Sequence, residues 1–249
     1  MKPEAYRSLL ETEETHWWFR ARQRIVLDVL STRLEAAVAG SVPRALIDVG
    51  AGGGGLSEAL GRFGRVVAVE GSPEAMERLR RRTGVEAVAA RLPTLPFPPA
   101  SFDVATAFDV LEHVEDDGGA IREVARVLRE GGVFLATVPA HPALWGGHDE
   151  IHGHFRRYRP GELESRMEAV GFRIEFATPF QTLLLPALVA QRWLSRMVSG
   201  SPSVPSTPPH PINSVLEGIF ASERRWIGRG YRLPVGSSHL VFARKVSSG

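Results

Sequence analysis

Ala45-Leu-Ile-Asp-Val-Gly-Ala-Gly-Gly-Gly-Gly55 decides the fold of this chain. A short apolar run carries a carboxylate at Asp48 and then breaks into glycines, the pattern of a buried strand, a tight turn and a helix start. A second apolar run, Val66 to Glu70, also ends in a carboxylate, which completes one nucleoside-binding half of an α/β sheet. From about 20 residues beyond such a turn, a carboxylate accepts both hydroxyls of an adenosine ribose, and Glu70 lies there. Gly50, Gly52 and Gly55 also satisfy G-x-G-x-x-G, in which amides at the helix start cradle a pyrophosphate. Asp48 points the other way. Two residues before the first glycine it repels a pyrophosphate and attracts an amino acid's ammonium. A purely structural glycine turn is the third alternative.

Working outward, Arg44 to Val49, Val66 to Glu70, Glu86 to Ala89, Phe102 to Phe108 and Gly132 to Val138 read as short strands. Helical patterns over Gly55 to Arg62, Pro73 to Arg82, Gly118 to Arg129 and Pro160 to Val170 separate or follow them. With final strands at Phe172 to Ala177 and Ser238 to Ala243, the alternation predicts an α/β, doubly wound, seven-stranded and mostly parallel sheet. Helical periodicity over Pro3 to Glu14 and Phe19 to Ala39 predicts an N-terminal helical lid that caps the sheet or covers its mouth. The chain thus divides into a lid (1–40), a cofactor-binding core (41–177), a helical and proline-rich insertion (178–236) and a last strand with its tail (237–249).

Composition bounds the chemistry. A length of 249 residues with 43% hydrophobic content supports one α/β core plus an insertion. The absence of cysteine excludes disulfides, thiolate metal ligands and thiol catalysis. No apolar leader opens the chain, so a cytoplasmic location is expected. A net charge of +2 gives no footprint for nucleic acid, and none is expected as a partner. Arg80-Arg81-Arg82 follows Glu74 and Glu77 at helical spacing and reads as a solvated helix face.

From Arg44 to Phe176 the chain resembles the class I S-adenosylmethionine-dependent methyltransferases. Four motifs in register carry the likeness: LIDVGAGGG, VVAVEGSPEAM, LPFPPASFDVATAFDVLEHVED and VLREGGVFLATVP. The resemblance implies a Rossmann-like methyltransferase fold ending in an antiparallel strand pair, with S-adenosyl-L-methionine as cofactor. It places Asp48, Gly50 and Gly52 around the methionine moiety, Glu70 on the ribose, and Ser72 and Met76 beside the adenine, with Ala51 and Gly71 also among the cofactor-binding residues. Leu92 supplies a backbone contact to the ring, Phe108 and Asp109 form the strand end near the methionyl group, and His113 packs beside the cofactor. One position departs: Arg91 stands where many relatives carry an aspartate that binds the adenine amino group. Two other functions stay open, a non-catalytic binder of the same cofactor and an NAD-dependent oxidoreductase.

Aromatic faces suit a sulfonium cation, so His16-Trp17-Trp18-Phe19 with Arg22 suggests a closing flap. Phe19 and Arg22 are expected nearest the cofactor, with Arg22 on its carboxylate, while Trp17 and Trp18 serve largely as anchors. Beyond the fifth strand, where such sheets hold substrates, lies Trp145 to Tyr158. Its candidates are His148 and His154 as general bases, with Arg157 and Tyr158 orienting a polar or anionic substrate. The alternative is that these histidines merely hold the loop together. Histidines 148, 152 and 154 beside Asp149 have a spacing a metal tolerates, but the resemblance asks for none, and no metal is expected. The long insertion opens with PFQTLLLPALVAQRWLSRMV, continues into the proline-rich SGSPSVPSTPPHP and ends in a further helical pattern from Asn213 to Arg229. A small-molecule or lipid-like methyl acceptor follows from its apolar character, with peripheral membrane contact through residues 180–197 as one option.

Overall fold

A computed structural model describes residues 3–37, 44–197 and 207–246. Seven strands form one sheet: β1 (Arg44–Val49), β2 (Gly64–Glu70), β3 (Val85–Ala89), β4 (Phe102–Phe108), β5 (Leu128–Pro139), β6 (Phe172–Phe180) and β7 (Ser238–Lys245). Their order is β3-β2-β1-β4-β5-β7-β6. Strands β1 to β5 pair in parallel, and β7 runs antiparallel to both β5 and β6. The order reverses between β1 and β4, so a crevice opens beyond their carboxyl ends, where doubly wound sheets bind ligands.

Successive strand residues face opposite sides of a sheet, and the two cores follow that alternation. Ile47, Val67, Ala105 and Phe134 join one core, packed with Ile121 and Val124. Leu46, Val66, Val104 and Leu135 join the other. The helices of the first face are α5 (Asp117–Val127) and α7 (Glu162–Glu168). On the second face lie α2 (Trp17–Ala37) and α9 (His210–Ser222), which pack on each other. The helices α1 (Pro3–Thr12), α3 (Gly55–Leu60) and α4 (Pro73–Leu79) surround the glycine turn. Completing the set are α6 (Gly147–His152), α8 (Leu185–Met197) and α10 (Arg224–Ile227).

Three differences from the sequence expectations have local causes. Most of the expected lid is a core helix, because Ile25, Val26, Val29, Leu30 and Leu34 of α2 are buried against the sheet; only its first turns reach the strand ends. The helix expected over Asn213 to Arg229 divides into α9 and α10 at Glu223, a fully buried carboxylate that accepts from the Gln181 amide at 2.7 Å and the Leu183 amide at 2.8 Å. Gly146 to Gly153 was not expected as a helix, since its glycines and histidines show no apolar period; Gly153 closes α6 in the left-handed conformation that glycine adopts readily. The boundary expected at residue 40 and most of the proline-rich stretch lie outside the described residues.

Candidate active site

The glycine turn is built from backbone geometry first. Gly50 has φ +71°, and a Cβ there would run into Val110, so only glycine lets β1 and the end of β4 approach so closely. Glu70 then locks the turn. Its Oε2 accepts from the Gly52 amide at 2.9 Å, and its Oε1 accepts from Gly71 at 2.7 Å and Ser72 at 2.8 Å. Ser72 also caps α4, with Pro73 at the first helical position. Met76 and Leu92 are buried behind this edge. Ala51 is half-buried beside them, its amide donating to Val69 O at 3.1 Å.

Asp48 differs from its expected place. It is 2% exposed, accepting from Ser57 Oγ at 2.5 Å and Thr106 Oγ1 at 2.6 Å. Burial pushes its pKa up, and the two hydroxyls and Arg22 pull against that rise. It therefore stands beneath the turn, where it ties α3 and β4 to β1, and contributes its field to the crevice without a direct exposed contact.

Two residues that sequence reasoning missed come from the N-terminus. Glu13 Oε2 accepts from the Gly53 amide at 3.0 Å, and Arg82 binds Glu13, Glu14, Glu58 and the Gly53 carbonyl together. Tyr6 lies beside Glu70 and Ser72, its hydroxyl pKa raised by burial and then by the Glu70 charge. Nothing in the local pattern of α1 marks these contacts, because they depend on where the helix docks.

At the end of β4, Asp109 holds φ +58°, a left-handed conformation uncommon for a side chain other than glycine. It forms an ion pair with Arg22. The Arg22 guanidinium lies 4.6 Å from the Trp18 ring centre, 5.6 Å from Phe19 and 5.9 Å from Phe108. Phe19, Arg22, Phe108 and Asp109 thus gather at the end of β4, where Arg22 serves Asp109. Trp18 and Trp17 anchor as expected: Trp18 Nε1 donates to Gln181 at 3.1 Å, and the Trp17 ring meets Phe220 at 5.9 Å. Arg91, across the mouth, turns back to donate to the Gly71 carbonyl at 3.1 Å.

The loop after β5 requires corrections. Tyr158 is 1% exposed, and its hydroxyl donates to Asp117 Oδ2 at 2.7 Å; buried and satisfied, it has no atom to offer a substrate. Arg157 is also buried, donating to Asp149 Oδ1 at 2.7 Å and to the Ala140 carbonyl at 3.0 Å. Both hold the loop together. Asp149 is its hub, taking His154 Nδ1 at 2.9 Å and the Gly146 amide at 2.9 Å as well. His148 packs on His152, and burial followed by the neighbouring His152 lowers its pKa to about 3, which makes it a weak base at neutral pH. His113 meets His154 edge-on at 4.7 Å, with its pKa lowered to about 3 by burial and by His154.

Comparison with known proteins gives the same family from several directions. The profile described as "Methyltransferase domain" matches residues 47–136. A "Probable S-adenosylmethionine-dependent methyltransferase" of Mycobacterium tuberculosis is 32% identical over 170 residues, covering 67% of this chain and 59% of that protein. This chain thus spans about three fifths of that relative's length. A "Ubiquinone biosynthesis O-methyltransferase" of Xanthomonas euvesicatoria is 32% identical over 193 residues, which is 64% of this chain and 76% of that protein. Among solved structures, an S-adenosylmethionine-dependent methyltransferase from Mesorhizobium loti superposes with a TM-score of 0.56 at 18% identity, covering 87% of this chain and 97% of its own.

Proposed function

The chain belongs to the class I S-adenosylmethionine-dependent methyltransferases, and from that premise we propose that it methylates a small-molecule or lipid-like acceptor. One observation carries the choice of cofactor. The amides that would cradle a pyrophosphate at the glycine turn are already held by carboxylates, Gly52 by Glu70 and Gly53 by Glu13, and Asp48 lies buried beneath them. A crevice ringed by carboxylates disfavours a dinucleotide and suits a cationic ligand. When bound, S-adenosylmethionine supplies an electrophilic methyl group on a positively charged sulfur.

Glu70, with Gly71 and Ser72, would hold the nucleoside; Gly50, Ala51 and Gly52 would border the amino-acid end; Phe108 and Asp109 would lie at the strand end beyond it. Phe19 and Trp18 would shield the site from water, and a dry, aligned pocket is what a methyl displacement needs most. The acceptor class draws support from the insertion. Leu183, Val189, Trp193 and Leu194 are all exposed, with Trp193 at 61%. The relative named for ubiquinone biosynthesis is consistent with a small acceptor. A transfer assay with methyl-labelled S-adenosylmethionine tests the proposal. Label should pass to members of a panel of phenols, quinols and lipid-linked acceptors; cofactor binding without transfer to any of them would support a non-catalytic binder.

A further inference from the structure

Glu112 is 0% exposed, and among the described residues neither of its carboxylate oxygens meets a hydrogen-bond donor from another residue. A buried carboxylate in that condition is costly unless it is neutralised or coordinated. What stands next to it is chemically specific. The ligand atoms of Glu112, His113 and His154 all lie within 4.8 Å of one another. We propose that these three side chains form a binding site for a divalent transition-metal ion of the zinc, iron or cobalt type.

The groups behind the histidines fit that assignment. His154 Nδ1 lies 2.9 Å from Asp149 Oδ1. Asp149 also accepts from Arg157 Nε at 2.7 Å and from the Gly146 amide at 2.9 Å, so its oxygens act as acceptors throughout. With an acceptor oxygen of Asp149 facing it, Nδ1 is the proton-bearing nitrogen and Nε2 keeps its lone pair. A carboxylate behind a ligating imidazole is the usual support in metal sites. His113 hydrogen-bonds the Gly153 backbone, which orients its ring in the same manner. Two imidazoles and one carboxylate favour a borderline ion over magnesium or calcium, which prefer oxygen ligands. Bond lengths of about 2.0–2.2 Å put the donor atoms of one ion roughly 3–4 Å apart, so no edge of the cluster needs to contract by more than about 1–2 Å.

No spacing rule reveals this set, because Glu112 and His113 follow β4 while His154 follows β5. His152 and His148 complete the surroundings, with His152 Nε2 also buried and without a partner among the described residues. The expectation of no metal rested on a resemblance that asks for none and on the 148–154 loop considered without its neighbours from the other strand.

The test uses the full chain, stripped with chelator and titrated with Co2+ while visible absorption is recorded. The expected result is one equivalent bound, with ligand-field bands of imidazole–carboxylate coordination. Glu112→Gln and His154→Gln should each weaken Co2+ binding about tenfold or more. Bands no different from aqueous Co2+, or binding unchanged in both variants, would overturn the site. If Glu112→Gln fails to fold, His154→Gln decides. Calorimetry with S-adenosylhomocysteine on the same samples separates the two proposals: cofactor binding that persists where Co2+ fails removes the metal site and leaves the methyltransferase reading standing.

Discussion

Replacing Tyr158 with phenylalanine removes one hydroxyl and nothing else of the ring. In the folded protein that hydroxyl donates to Asp117 Oδ2 at 2.7 Å, and both groups are almost wholly buried. The opposite oxygen, Oδ1, takes Arg156 and Arg166, each at 2.7 Å, so the carboxylate keeps its charge partners while Oδ2 loses its donor. A hydrogen bond to a charged group contributes about 1.5–3 kcal/mol, and the two retained arginines argue for a loss near the middle, about 2 kcal/mol. For a domain of this size that corresponds to a fall in Tm of roughly 4–8 °C. Urea and thermal unfolding of Tyr158→Phe beside wild type measure it, with S-adenosylhomocysteine affinity determined in parallel. Stability should drop and affinity should stay within about twofold, since nothing in the hydrogen-bond geometry links Tyr158 to the glycine turn. An unchanged Tm with lost methyl transfer would refute the structural role and return Tyr158 to the substrate.

Other consequences follow from the same geometry. Glu70→Gln presents an amide nitrogen to one of the three backbone donors it now satisfies, and should weaken S-adenosylhomocysteine binding about 10–100-fold by calorimetry. Asp48 has a folded-state pKa raised by burial, so its contribution to stability is complete below the ordinary carboxylate range and is lost as pH rises through the folded value. Asp48→Asn removes that titration; unfolding measured from about pH 4 to pH 7 should therefore show the variant gaining on wild type as pH rises. Trp18→Phe deletes the bond to Gln181 and should cost about 1 kcal/mol, with faster proteolysis at the start of α2. If the exposed face of α8 meets lipid, Trp193→Glu should reduce co-sedimentation with anionic vesicles several-fold while leaving cofactor affinity intact.

The strands were legible because Ile47, Val67 and Phe134 alternate with residues of the opposite core over runs too short for helices. Gly50 and Glu70 were legible because a close backbone approach and an amide-binding carboxylate each demand one residue type. Tyr158 and Arg157 were misread since a polar side chain in a loop looks alike whether it faces solvent or a buried partner such as Asp117 or Asp149. Glu13 and the Glu112–His113–His154 group depend on contacts between distant segments, which no local period encodes. The lid was partly misplaced for a related reason: the apolar stripe of α2 identifies a buried face but not which surface buries it.

Calorimetry of the wild-type chain with S-adenosylhomocysteine and, separately, NADH tests the electrostatic basis of the whole account. Carboxylates at Asp48, Glu13 and Glu70 should give saturable one-site binding of the first and no heat from the second. Saturable NADH binding, with S-adenosylhomocysteine silent, would contradict it.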